Sequence, residues 1–122
     1  MKRRVVVTGL GVISPIGNNK EEFWTSLING KNGVGPMTSF DCKDYVSRIA
    51  GEVKNFAPHT MIPKKELRRM EKFVQFAISA AKEAVDESGL DISKEDPFRV
   101  GVLLGSGIGS LRIIEEQHKV IL

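Results

Sequence analysis

Two short apolar runs, each ending in glycines, constrain the fold of this chain more than any other feature. Residues 4–8 read RVVVT and precede Gly9 and Gly11, and residues 99–104 read RVGVLL and lead into Gly105. Such runs are typical of strands buried on both faces of a parallel or mixed sheet that helices cover. Because a buried sheet usually has more strands than these two, the pattern predicts an α/β chain with an incomplete mixed sheet flanked by helices. We therefore expect an N-terminal piece of a larger protein.

Helical periodicity lies between and after these runs. Residues 20–29 carry an apolar face, with Asn18 or Asn19 as the cap and Gly30 past the end. Residues 64–88 form the clearest pattern, because apolar residues recur there at three- and four-residue steps until Gly89 stops the helix. A turn is expected around Gly17, a short edge strand or hairpin around residues 49–53, and an amphipathic helix toward the end of the chain.

Composition and charge exclude several classes of function. The chain has 122 residues, 41% of them hydrophobic, and its apolar runs are far shorter than a membrane span requires. The basic N-terminus lacks the apolar core of a secretory signal, so we expect a cytoplasmic protein. A net charge of +3 is too small to indicate nucleic acid.

The glycine loop GSGIGS, residues 105–110, has two interpretations. It nearly matches the Gly-x-Gly-x-x-Gly fingerprint of dinucleotide sites, as do residues 9–14. The acidic residue expected about twenty positions later would lie beyond residue 122 for the first match, and the second match has Asn29 near that position. Neither carries the Gly-Lys-Ser/Thr of a phosphate loop. A small nucleotide-binding α/β module therefore stays an alternative, beside tight turns where one backbone approaches another. Ile108 lies between Gly107 and Gly109, which indicates a side chain that lines an apolar substrate pocket and can move. The alternative is that Ile108 packs in the core.

A local cluster of cations holds the excess positive charge. Lys65, Arg68, Arg69 and Lys72 recur at i, i+3, i+4 and i+7, which predicts one helical face. A solvated face explains such a run, and the alternative is a docking site for an acidic partner. Nucleic acid is disfavoured because no aromatic residue interleaves the cluster.

The sequence contains no complete catalytic set. Cys42, the one cysteine, lies outside any strand-to-helix turn, and His59 and His118 are distant in sequence. We interpret Cys42 as a bystander rather than half of a Cys–His pair. No metal-ligand spacing is present, and no metal or cofactor is expected.

Three stretches together carry a resemblance to a known family: RRVVVTGLGVISPIGNNKEEFWTSLINGKNGV, RRMEKFVQFAISAAKEAVDESGL and RVGVLLGSGIGSLRIIEE. In order and spacing they resemble the opening part of the type II β-ketoacyl-acyl-carrier-protein synthases, elongating condensing enzymes of fatty-acid synthesis. The resemblance runs along the whole chain and is weakest over residues 42–48. It implies a thiolase-like fold of five α-β-α-β-α layers, usually a homodimer. Residues 1–122 would then form part of the N-terminal domain and stop before the nucleophile.

The resemblance also implies chemistry and partners. The family performs a decarboxylative Claisen condensation with one cysteine and two histidines, which would all lie beyond residue 122, so the chain alone would be inactive. Ile108, with Gly107 and Gly109, falls where the family places a gate at the acyl pocket. Lys65, Arg68 and Arg69 fall where the family presents cations to the acidic acyl carrier protein. A non-catalytic carrier-protein-binding piece stays a further alternative.

Overall fold

A 17-residue helix, Lys72–Ser88, organises the fold. The computed structural model describes residues 3–58 and 62–122, so His59 lies outside the described residues. In chain order, the elements are helix α1 (Lys20–Ile28), strands β1 (Val34–Pro36) and β2 (Ile49–Gly51), helices α2 (Lys64–Leu67) and α3 (Lys72–Ser88), a short 3-10 turn (Ile92–Lys94) and helix α4 (Leu111–Ile121). Within the described ranges no helix combines the length and apolarity that crossing a membrane requires.

Helix α1 confirms its sequence prediction to within a residue. The side chain of Asn19 accepts a hydrogen bond from the backbone N–H of Glu22 at 2.8 Å and so caps the first turn. Beyond the helix, Gly30 takes a φ of 62°, which is accessible at little cost only to glycine. Before the helix, Ser14 and Gly17 exchange backbone hydrogen bonds and close the predicted turn.

The long helix predicted over residues 64–88 is two helices rather than one. Helix α2 ends at Leu67, and the backbone is extended at Glu71, with ψ at 156°, before α3 begins. The predicted stop is confirmed, because Gly89 has a φ of 65° and donates its N–H to the carbonyl of Asp86. Periodicity did not reveal the break since the apolar spacing continues through it.

Neither of the two strands predicted from the apolar runs forms. Residues 4–8 and 99–104 join no β-ladder, and their side chains are exposed, Val5 to 90% and Leu103 to 96%. A strand needs a hydrogen-bonding neighbour, and neither run joins the sheet of the described residues. The sheet of the described residues has two strands, β1 antiparallel to β2; β2 lies where the sequence predicted an edge strand or hairpin, and β1 was not predicted.

Glycines allow the segment after the first run to lie directly against α3. A Cβ at Gly11 would stand 1.8 Å from the carbonyl oxygen of Ala80, and one at Gly9 would stand 2.0 Å from that of Ala84. The interpretation of glycines as points of close backbone approach is confirmed at these two positions. It is wrong for Gly105, Gly107 and Gly109, whose Cβ positions have no neighbour within 4 Å.

The best-covered part of the molecule is the middle of α3. Its residues 74–85 are half-buried, and Phe76 packs edge-on against Phe56 with ring centroids 4.8 Å apart. Ile62 is 6% exposed and is the one buried apolar side chain in the described ranges. The structure is therefore a small mixed α/β arrangement in which several segments pack against α3.

Candidate functional site

The cations of the cluster lie on the short helix α2 and on the turn that follows it, rather than on one helical face. Lys65 belongs to α2, whereas Arg68 and Arg69 follow the end of that helix, so the predicted single helical face is wrong. All three side chains belong to exposed residues, and none forms an ion pair within the part of the chain that the structure describes. We call Lys65, Arg68 and Arg69 the cation turn.

Side chains of α3 and α4 form contacts that fix the conformation of the cation turn. The amide of Gln75 donates to the carbonyl oxygens of Leu67, at 3.2 Å, and Met70, at 2.9 Å. These bonds satisfy backbone acceptors that the end of a helix leaves open. Glu71, which closes the turn, forms an ion pair with Arg112 of α4. This ion pair raises the pKa of Arg112 above its usual value, with Glu116 adding to the effect.

The glycine loop, residues 105–110, is open to solvent and ends at the cap of α4. Ile108 is 72% exposed. Gly109 takes a φ of 72°, and its N–H donates to the hydroxyl of Ser106 at 3.1 Å. The hydroxyl of Ser110 accepts from the N–H of Ile113 at 3.1 Å and caps the helix. Because Ser110 already occupies this first helical turn and no strand precedes the loop, the geometry lends no support to the nucleotide-binding alternative.

Two cavities lie along α3. One, of about 550 Å³, lies between residues 11–13, the first half of α3 and residues 104–106. The other, of about 620 Å³, is lined almost wholly by apolar side chains of α3 together with Ile92, Val102 and Leu104. The first cavity reaches the glycine loop at Ser106, two residues before Ile108, whose own side chain does not line it.

A pair of carboxylates that sequence reasoning missed fastens the N-terminal segment to α3. Glu83 accepts from the backbone N–H of Val12 at 2.9 Å and of Lys20 at 2.7 Å. Glu87 accepts from the N–H of Leu10 at 2.6 Å and pairs with the ammonium of Lys20. The bond to Lys20 lowers the pKa of Glu87, and the same contact raises the pKa of Lys20. Their i, i+4 spacing on one helix face was the available signal.

The remaining candidate residues, Cys42 and His118, do not form a catalytic pair in the described ranges. Cys42 is half-buried in the segment between β1 and β2, and His118 is exposed on α4. No group of three or more His, Cys, Asp or Glu side chains there could hold a metal ion. What the structure shows instead is an exposed cation turn and an exposed glycine loop.

Comparison with known proteins gives consistent matches. The family model described as "Beta-ketoacyl synthase, N-terminal domain" matches residues 2–120. The chain is 44% identical over 121 residues to the 3-oxoacyl-[acyl-carrier-protein] synthase 2 of Synechocystis sp. and 46% identical over 121 residues to that of Coxiella burnetii. Each alignment covers 99% of this chain but 29% of the relative. Among solved structures, the ishigamide ketosynthase/chain length factor matches with a TM-score of 0.65 and 39% identity, over 76% of this chain and 23% of that one.

Proposed function

Because the chain belongs to the β-ketoacyl synthase N-terminal domain family, we propose that it forms part of a 3-oxoacyl-[acyl-carrier-protein] synthase. The observation that carries this proposal is an identity of 44–46%, along almost the whole chain, to proteins of that name. The chain spans 29% of the length of these relatives. We therefore assign the activity to the protein of which it is a part, a thiolase-like protein of five α-β-α-β-α layers that works as a homodimer.

The proposed reaction joins two thioesters with loss of carbon dioxide. A cysteine thiolate takes the acyl group from acyl-carrier protein and releases the carrier thiol. Malonyl-carrier protein loses carbon dioxide, and the carbanion that remains attacks the acyl-enzyme carbonyl, forms the new carbon–carbon bond and expels the thiolate. Two histidines stabilise the developing oxyanion. None of these groups matches a residue of this chain, so its own contribution is to bind the carrier and shape the acyl pocket.

We assign carrier-protein binding to the cation turn. Lys65, Arg68 and Arg69 are exposed and have no ion-pair partner in the described ranges, so no ion pair there has to break when they meet an acidic surface. Cations arranged this way accelerate encounter with an acidic protein and fix its orientation. The bonds from Gln75 keep the turn in one shape before the partner arrives, which lowers the ordering cost of binding.

We assign the acyl-pocket gate to Gly107, Ile108 and Gly109. The side chain of Ile108 is 72% exposed, and the neighbouring glycines have open space around them. A bulky side chain on such a backbone can swing without displacing packed atoms. Its loop borders the 550 Å³ cavity at Ser106, which supports a role in admitting an apolar chain beside α3.

Carrier-protein binding tests the assignment of the cation turn. We expect Arg68→Glu to weaken binding of an acyl carrier protein about tenfold at low salt, since it replaces an attraction by a repulsion, and the difference to shrink as ionic strength screens both. Lys31→Glu is the matched control, because Lys31 is also exposed and unpaired in the described ranges but follows α1. Equal weakening by both variants would contradict the assignment.

A second measurement tests the enzymatic part of the proposal. The protein that contains this chain should convert acyl- and malonyl-carrier protein into 3-oxoacyl-carrier protein and carbon dioxide. Carrier binding without that product would overturn the synthase assignment and favour a non-catalytic carrier-binding protein.

A further inference from the structure

The end of the cation turn is joined to a distant helix through an ion pair between a largely covered carboxylate and an arginine, Arg112, that is 60% exposed. Glu71 closes the turn, and its side chain is only 13% exposed, although it is charged. Its carboxylate accepts from the guanidinium of Arg112, which lies 41 positions later in the sequence. A covered carboxylate depends on its partner more than an exposed one does, because little water replaces a lost contact.

Arg112 also lies next to the glycine loop. It is the second residue of α4, and the cap of that helix, Ser110, is the last residue of the loop. The second guanidinium nitrogen of Arg112 contacts Glu116 at 2.6 Å, so the side chain is fixed on its own helix as well as on the turn. A shift of Glu71 would therefore move the first turn of α4 rather than merely a flexible side chain.

The loop beyond this junction is free to respond. Gly105, Gly107 and Gly109 have no heavy atom within 4 Å of their Cβ positions, and one internal bond, from Gly109 to Ser106, restrains the loop. A segment with few packed contacts adopts a new conformation at low cost when one of its ends moves. Displacement of α4 would thus be taken up at the glycines on either side of Ile108.

From this arrangement we infer that the Glu71–Arg112 ion pair transmits carrier-protein docking from the cation turn to the glycine loop, with both side chains acting as positioning residues. The inference rests on the proposed function, since the acidic partner at the turn is the carrier protein. A carrier protein that binds Arg68 and Arg69 displaces the chain close to Glu71, which lies two positions after Arg69. The glycine loop would then change its conformation when the carrier protein binds.

Backbone NMR of the ¹⁵N-labelled chain, titrated with apo acyl carrier protein, tests this inference. The apo form lacks the prosthetic arm, so nothing it carries can reach the loop directly. We expect shifts at Lys65, Arg68 and Arg69 and also at the amides of the three loop glycines. Glu71→Gln should reduce the glycine shifts to less than half while those at the cation turn persist. Glu115→Gln is the matched control, because it removes an exposed carboxylate of α4 that has no ion-pair partner in the described ranges, and it should leave the glycine shifts in place.

The outcomes separate the two proposals. If the wild-type chain shows no shift at the cation turn, the proposed function fails at the docking step. If the turn shifts but the glycines do not, or if Glu71→Gln leaves the glycine shifts intact, the transmission is wrong. The exchanged pair, Glu71→Arg with Arg112→Glu, should restore the glycine shifts, which a merely structural role for Glu71 would not predict. Absence of any restoration in a variant with an otherwise unchanged spectrum would also overturn the inference.

Discussion

Gly11→Ala should strongly destabilise the chain, although it adds a single methyl group. The new Cβ would lie 1.8 Å from the carbonyl oxygen of Ala80, and ordinary van der Waals contact begins at 3.4 Å. The segment would have to retreat by about 1.6 Å, since neither a helix carbonyl nor a backbone can turn aside as a long side chain can. The φ of Gly11 is not in the left-handed region, so the effect is steric.

The retreat also breaks a hydrogen bond. Val12, next in the chain, donates its N–H to Glu83 at 2.9 Å, and a displacement of this size takes the two atoms beyond bonding distance. Loss of a bond to a charged acceptor costs about 1.5–3 kcal/mol, and overpacking adds about 1–3 kcal/mol. Because Glu83 is only half-buried, water compensates part of the loss, and we expect a decrease of about 3 kcal/mol in the free energy of unfolding.

Thermal and urea unfolding, followed by circular dichroism, measure this decrease. For a domain of this size it corresponds to a fall of about 10 °C in Tm. Gly101→Ala is the control, because a Cβ there meets no atom within 4 Å and its φ is not positive. That variant should be neutral or slightly stabilising. If Gly11→Ala unfolds at the same temperature as Gly101→Ala, the close packing of this segment on α3 is wrong.

Two further predictions concern the glycine loop and the β1–β2 region. In the protein that contains this chain, Ile108→Phe should reduce elongation of long acyl chains more than that of short ones, because a larger gate blocks the deeper part of the proposed pocket. Kinetics with carrier-linked substrates of increasing length measure this difference. An equal loss at all chain lengths would indicate packing damage instead. Glu52 has a pKa lowered to about 2, mainly by the hydroxyl of Thr38 and also by bonds from Ser39 and the Thr38 backbone, from an ordinary 4.5. Its folded-state pKa lies below the unfolded one, so the stability it contributes is present above pH 4.5 and is lost as the pH falls toward 2. The Tm of the wild type should therefore fall more steeply over this range than that of Glu52→Gln, and parallel pH profiles would refute the carboxylate's role.

The parts of the fold that local sequence determines were predictable. Asn19 and Gly30 bound α1, and Gly89 ends α3, because caps and left-handed stops depend on one residue and its immediate neighbours. Strand β2 forms within the residues where an edge strand or hairpin was predicted, whereas its partner β1 was not predicted, because the pairing joins segments that are distant along the chain.

The apolar runs show where local pattern stops being sufficient. Val5 and Leu103 belong to sequences typical of buried strands, but whether a run becomes a strand depends on which backbone lies next to it. In this structure the residues just after the first run lie against α3, whose Glu87 and Glu83 accept the amides of Leu10 and Val12. Composition predicts the tendency to be extended, and only the three-dimensional arrangement determines the partner.

The cation turn shows the same division for function. Sequence identified Lys65, Arg68 and Arg69 correctly as a cluster, but it placed them on a regular helix, where they would share one face because of helical geometry alone. In the structure the helix ends first, so the arrangement of these cations depends on what fixes the turn, namely Gln75 at its carbonyls and Glu71 through Arg112. Helical geometry would have made the cluster independent of the rest of the molecule. A turn fixed by side chains from α3 and α4 is sensitive to both helices, and the proposed coupling between carrier binding at the cation turn and movement of the glycine loop depends on that sensitivity.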